Sequence, residues 1–130
     1  MATLVVHDET ATGRPVSQIS LPDLPATITV RELVRLRVRE EVARHNALPQ
    51  AVFAGLVRPL EAEVVANGYR LKSPRRLDWE KQADIAVDAF ERNGFFILVG
   101  DRQVEDLDET IDLAADPHVA FVRLTPLVGG

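Results

Sequence analysis

Apolar and polar positions along the chain switch between the period of a strand and that of a helix. Thr3-Leu4-Val5-Val6-His7 is a short β-branched run ended by Asp8-Glu9, and it predicts a buried strand. Gly13 and Pro15 mark a turn. In Val16 to Leu21, Ile19 and Leu21 share one face while Gln18 and Ser20 share the other, which predicts a second strand paired with the first as a hairpin. Pro22 and Pro25 are expected to end it. Thr29-Val30-Arg31-Glu32 has the form of a capping box, a hydroxyl followed three residues later by a carboxylate. Val30, Leu33, Val34, Val38 and Val42 then recur at helical spacing, so a helix is expected from Val30 to Asn46.

The stretch 47–93 is less regular. Pro49, Pro59 and Pro74 interrupt it, Val52 to Val65 suggests helical turns around Pro59, and Asn67-Gly68 suggests a turn. Trp79 to Arg92 predicts a second helix, with Trp79, Ala83, Ala86, Val87 and Phe90 on one face and Asn93-Gly94 as its stop. Phe95 to Val99 reads as a strand buried on both faces, which turns at Gly100-Asp101 and returns through Arg102 to Val104. Glu105 to Asp112 is too acidic for a core helix, although Leu107 and Ile111 suit a short anchored turn. His118 to Leu124 is the last predicted strand, and Thr125 to Gly130 follows as a tail.

Composition narrows the functional classes. The 130 residues are 46% hydrophobic and 27% charged, enough for one domain with a real core. A net charge of −5 disfavours sequence-independent nucleic-acid binding, which needs a basic face. The cluster Arg70 to Arg76 is too small to change that. The absence of cysteine excludes thiol nucleophiles, disulfides and thiolate metal sites. His7, His45 and His118 lack the spacing of a metal site, the serines lie outside any nucleophile-elbow context, and the acidic run lacks the ligand spacing of a calcium loop. No signal peptide and no membrane-spanning run is recognisable, so the cytoplasm is the expected compartment. No catalytic residue, bound cofactor or metal is expected.

Two hairpins flanking one long helix, an apolar first strand, an apolar last strand and a Gly129-Gly130 end resemble the ubiquitin-like β-grasp family. The likeness is greatest to its prokaryotic branch of sulfur carriers and ubiquitin-like modifiers. It rests on Ile28 to Leu33 entering the helix, Val99 to Val104 as the second hairpin and Val119 to Gly130 at the end. It implies an α+β fold, a mixed sheet packed on one long helix. That single domain would cover 1–130, with a partly helical insertion at about 47–93, absent from small sulfur carriers, and a flexible tail at about 125–130. It also implies that the chain is not itself an enzyme. An E1-like adenylating partner would use ATP to activate the Gly130 carboxylate, with Gly129 beside it. An E2-like enzyme, a deconjugating peptidase and target proteins are the further partners of a modifier; nucleic acid and membrane are not expected partners. Phe121, Arg123, Leu127 and Val128 are nominated as contacts for the activating partner.

Glycine suits such an end because, lacking Cβ, it lets backbone thread close to a nucleotide. A terminal glycine pair arises by chance in about one chain in 200, so its weight comes from the strand order before it. Three fates remain open on these residues: a modifier conjugated to amines, a sulfur carrier with a C-terminal thiocarboxylate, and a non-conjugating interaction domain with an incidental tail.

Overall fold

The structure, a computed structural model, describes residues 2–66 and 68–124. Strand β1 (Ala2–Thr10) outlasts its apolar run because alternation continues: Leu4, Val6 and Asp8 are buried while Val5 lies on the other face. The chain turns through Gly13 into β2 (Pro15–Leu24). Pro22 does not end this strand. Among the described residues β2 pairs only with β1, so a residue without an N–H is tolerated at this edge. Proline also falls where the ladder shifts. Ala2 pairs with Leu24 but Leu4 with Leu21, and Asp23 absorbs the extra residue at φ 59°.

A short strand β3 (Thr27–Thr29) leads into α1 (Val30–Ala47). Thr29 caps the helix as expected, its Oγ1 accepting from the Glu32 N–H at 3.1 Å and donating to Glu32 Oε1 at 3.0 Å. The buried stripe of α1 is Val30, Leu33, Val34, Arg37, Val38, Glu41 and Val42. Two of these seven are charged.

The stretch after α1 differs from expectation. In place of helical turns around Pro59 it forms β4 (Val52–Phe53), β5 (Glu63–Val65) and β6 (Gly68–Arg70), an antiparallel sheet in the order β4-β6-β5. Pro59 can neither donate within a helix nor let the residue before it settle there. The helical part of this stretch is α2 (Trp79–Glu91), capped by Asp78, whose Oδ1 accepts from Glu80 N at 3.0 Å. Ala83 and Ala86 are fully buried and, being small, let α2 lie close against α1. Arg35 and Arg39 of α1 sit over the Trp79 ring at 5.2 and 5.5 Å. Polar ties hold the stretch down. Asn46 exchanges two hydrogen bonds with the Leu77 backbone, and Gln82 Nε2 donates to the Val57 carbonyl at 2.8 Å.

Asn93, at φ 60°, ends α2 and leads to β7 (Phe95–Val99), which pairs with β8 (Arg102–Val104). β7 is not buried on both faces: Phe95 and Ile97 are buried, whereas Phe96 and Leu98 on the far face are half-exposed. The acidic stretch buries Leu107 and Ile111 and forms β9 (Thr110–Asp112), paired with β3. It also serves α1, since the carbonyls of Glu109 and Leu107 accept the N–H groups of Val30 and Arg31, both at 2.9 Å. One 3₁₀ turn (Leu113–Ala115) precedes β10 (Val119–Arg123).

The fold is α+β, with two helices and a five-stranded mixed sheet in the order β2-β1-β10-β7-β8. β1 and β10 run parallel at its centre, in register from Val6 opposite Val119 to Thr10 opposite Arg123, and the other pairs are antiparallel. One sheet face carries Leu4, Val6, Ile19, Leu21, Phe95, Ile97, Val119 and Phe121 into the core shared with the helices.

Candidate functional site at the end of the last strand

The parallel register brings the end of β10 to the middle of the sheet, with Arg123 between Thr10 of β1 and Phe95 of β7. Leu124 follows, 42% exposed. Gly129, Gly130, Leu127 and Val128, the expected reactive end and part of the expected contact surface, lie outside the described residues.

Phe121 and Arg123 do share a face, and it is the inner one. Phe121 is 0% exposed, stacked near Phe95 at 5.8 Å and covered by the Arg37 guanidinium at 4.6 Å. A partner meeting the folded sheet cannot touch it. Arg123 is spent on internal partners: its Nη2 donates to the Gly55 carbonyl at 3.1 Å and lies 3.5 Å from Asp8 Oδ2. The outer face instead carries Val5, His7, Phe96, Leu98 and Leu124, with His118 at the start of β10. The rings of His7 and His118 stack at 4.4 Å and 16°, and His118 Nε2 is 3.6 Å from Glu9 Oε2.

Behind β10 lies a buried ionic network that periodicity alone did not reveal. Arg37 grips Asp8 with both terminal nitrogens, Nη1 on Oδ1 and Nη2 on Oδ2, the latter at 2.7 Å. Arg37 Nη2 is also 3.4 Å from Glu41 Oε2, and Ser17 Oγ donates to Asp8 Oδ2 at 2.9 Å. The signal was present in the sequence: Arg37 and Glu41 fall on the apolar stripe of α1, and Asp8 falls on the inward phase of β1.

Burial would raise the Asp8 carboxyl, but the hydrogen bond and charge of Arg37, aided by Arg123 and Ser17, outweigh it and hold the group below its ordinary 3.8. For Glu41 burial wins, pushing it above 4.5 despite Arg37 and Arg123. Burial opposes the Arg37 charge, and Glu41 and Asp8 more than restore it. Three polar atoms of this network are buried without a hydrogen-bond partner: Arg37 Nε, Glu41 Oε1 and Arg123 Nε. Ser17 is no activated nucleophile, since the carboxylate it faces is already neutralised by two arginines and is a poor base.

Two adjoining cavities flank the network. One, of about 510 Å³, is lined by Ser17 and Ile19 of β2, Arg37, Glu41 and Leu48 from α1 and its end, and Val52 and Phe53 of β4. The other, of about 420 Å³, is lined by Thr10, Val16, Tyr69, Phe95, Arg123 and Leu124. Ser17 and Ala54 border both. Among the described residues no group of three or more His, Asp or Glu side chains is placed to hold a metal ion, and no helix is long and apolar enough to cross a membrane. Compared with protein-family models, curated proteins and solved structures, the chain matches none.

Proposed function

We propose that this chain is a ubiquitin-like protein modifier of the β-grasp kind, activated at the carboxylate of Gly130 and joined to target amines. The observation that carries the reading is the order β2-β1-β10-β7-β8, with the first and last strands parallel at the centre and the capped helix following the first hairpin. In that order β10, the last described strand, lies at mid-sheet, and Gly129-Gly130 follow it in the sequence.

In this reading the chemistry belongs to a partner. A carboxylate oxygen of Gly130 attacks the α-phosphorus of ATP, the α–β phosphoanhydride breaks, pyrophosphate leaves and an acyl-adenylate forms. Acyl transfer through a partner's thiol then releases AMP, and a target amine displaces the thiol to give an amide. This chain contributes a compact body and a side-chain-free end. Arg123 fixes the root of that end, tied to Gly55 and Asp8. The inserted stretch, by lining the cavity beside Leu124, gives a partner a surface that a minimal carrier lacks.

The test is intact-mass measurement of the chain incubated with ATP and the adenylating enzyme of its own cell. The expected result is an adenylate adduct, followed by amide-linked conjugates ending in this tail. A sulfur-for-oxygen exchange at Gly130 with no conjugates overturns the modifier reading in favour of a carrier. Unchanged behaviour after deletion of Gly129-Gly130 overturns both.

A further inference from the structure

The ladder of the main sheet stops at the end of β10. Arg123 faces Thr10, the last residue of β1, and Phe95, the first of β7, so neither strand continues alongside the residues that follow it. At that point the chain stands at the rim of the cavity of about 420 Å³, which Leu124 itself lines. The inserted sheet supplies another wall, through Val64 and Val65 of β5 and Tyr69 of β6.

The walls that solvent reaches are mainly apolar. Val16 is 59% exposed and Leu124 42%, while Val64, Val65 and Tyr69 are half-buried. Among the described residues Arg123 is the one charged side chain lining the cavity, and Gly55 and Asp8 already hold it. A charged side chain entering here would lose water and gain no free partner, whereas apolar side chains would cover apolar wall. The sequence carries such a segment directly after the rim. Thr125-Pro126-Leu127-Val128-Gly129-Gly130 has no charged side chain and sets two large apolar residues together, beginning three positions after Leu124. Three residues span at most about 10 Å, which keeps Leu127 beside the cavity. A partner's segment of the same chemistry would have to compete with an effective concentration on the order of millimolar, set by so short a tether.

We propose that this cavity is the seat of the chain's own segment 125–130, with Leu127 and Val128 packed against Val16, Val64, Val65 and Tyr69. Gly129-Gly130 then lie against the body. The docking itself is independent of any activation chemistry. Its consequence rests on the modifier reading: an activating partner must draw Leu127 and Val128 out of the cavity before the Gly130 carboxylate reaches ATP. The inserted stretch thereby keeps the reactive end covered until that partner binds, and the vacated cavity becomes part of the surface the partner meets.

The test is NMR on the full chain with labelled Leu and Val methyl groups. Contacts from the Leu127 and Val128 methyls to Val64, Val65 and the Tyr69 ring are expected. They should vanish in the double variant Leu127→Ser, Val128→Ser, whose substitutions lie beyond β10 and spare the core. The free peptide acetyl-Thr-Pro-Leu-Val-Gly-Gly should shift the cavity signals of that variant at concentrations at least about tenfold below those the parent needs, because the parent's tethered segment competes. Absence of the methyl contacts in the parent overturns the proposal. So does equal peptide binding by parent and variant, which would assign the cavity to a partner's segment. None of these readouts uses ATP or a partner, so failed activation of Gly130 leaves the docking standing, and missing methyl contacts leave the modifier reading standing. With the adenylating enzyme present, Val64→Asp is expected to raise kcat/KM by the reciprocal of the undocked fraction seen by NMR. An unchanged or lowered value overturns the covering role.

Discussion

Arg37 and Asp8 meet end to end inside the protein, two guanidinium nitrogens on two carboxylate oxygens, with side chains only 2% and 4% exposed. The contact joins α1 to β1 across 29 residues of sequence. It is costly to leave half made, because a buried charge stripped of its partner keeps its full desolvation penalty.

Replacing Arg37 alone therefore harms the fold far more than replacing the network. Arg37→Ala is expected to lower stability by about 3–5 kcal/mol, read from urea unfolding. The fourfold variant Asp8→Leu, Arg37→Met, Glu41→Leu, Arg123→Met is expected to equal the parent or exceed it by up to about 4 kcal/mol. If the fourfold variant proves less stable than Arg37→Ala, the ion pairs contribute net stability and the account is wrong.

Asp8 and Glu41 give opposite pH dependences. Asp8 has a depressed folded pKa, so its contribution is present above 3.8 and is lost as pH falls through the folded value. Glu41 has a raised one, so the folded state takes up its proton first. Stability from this group then grows as pH falls through its raised folded value towards 4.5, and stays constant below. Unfolding curves of the parent and Glu41→Gln across pH 3 to 8 should differ by a term that favours the parent increasingly down to 4.5. A flat difference would show that Glu41 is not perturbed.

The Thr29 cap can be tested without disturbing the core. Thr29→Ala removes the acceptor for the Glu32 N–H and is expected to cost about 1 kcal/mol of stability. Thr29→Asp should retain most of it. Equal losses in both variants would mean that the hydroxyl does not cap.

In the inserted sheet, Gly68 sits at φ +143°, and a Cβ there would lie 2.5 Å from the Phe53 carbonyl oxygen. Gly68→Ala is expected to cost about 1–3 kcal/mol. The faster amide exchange should fall on β4, β5 and β6, with β1 and β10 unaffected. Uniform loosening would show that the two sheets unfold as one.

Long elements with a strong period were legible before the coordinates: the first hairpin, α1 with its cap, α2, and the strands on either side of Gly100. Pro22 misled because its effect depends on whether a strand lies at an edge, which is a property of the assembled sheet. The strands of two and three residues in the inserted block are too short for alternation to register. Phe121 and Arg123 were correctly placed on one face, but the direction of that face is set by which side α1 covers. Arg37 and Glu41 are hard to read from the pattern because charge ordinarily marks the wet side of a helix, and only their phase, inward with that of Asp8, points to burial. Gly129 and Gly130 lie outside the described residues.

The parallel pairing of Val6 with Val119 has a consequence for synthesis on the ribosome. The segment that completes the middle of the sheet is translated more than a hundred residues after its neighbour, so β1 waits with one side open until β10 clears the exit tunnel. A truncation just short of β10 keeps every other element but loses the strand between β1 and β7. Quality control acting on incomplete chains would therefore meet an unfolded target rather than a shortened but stable one.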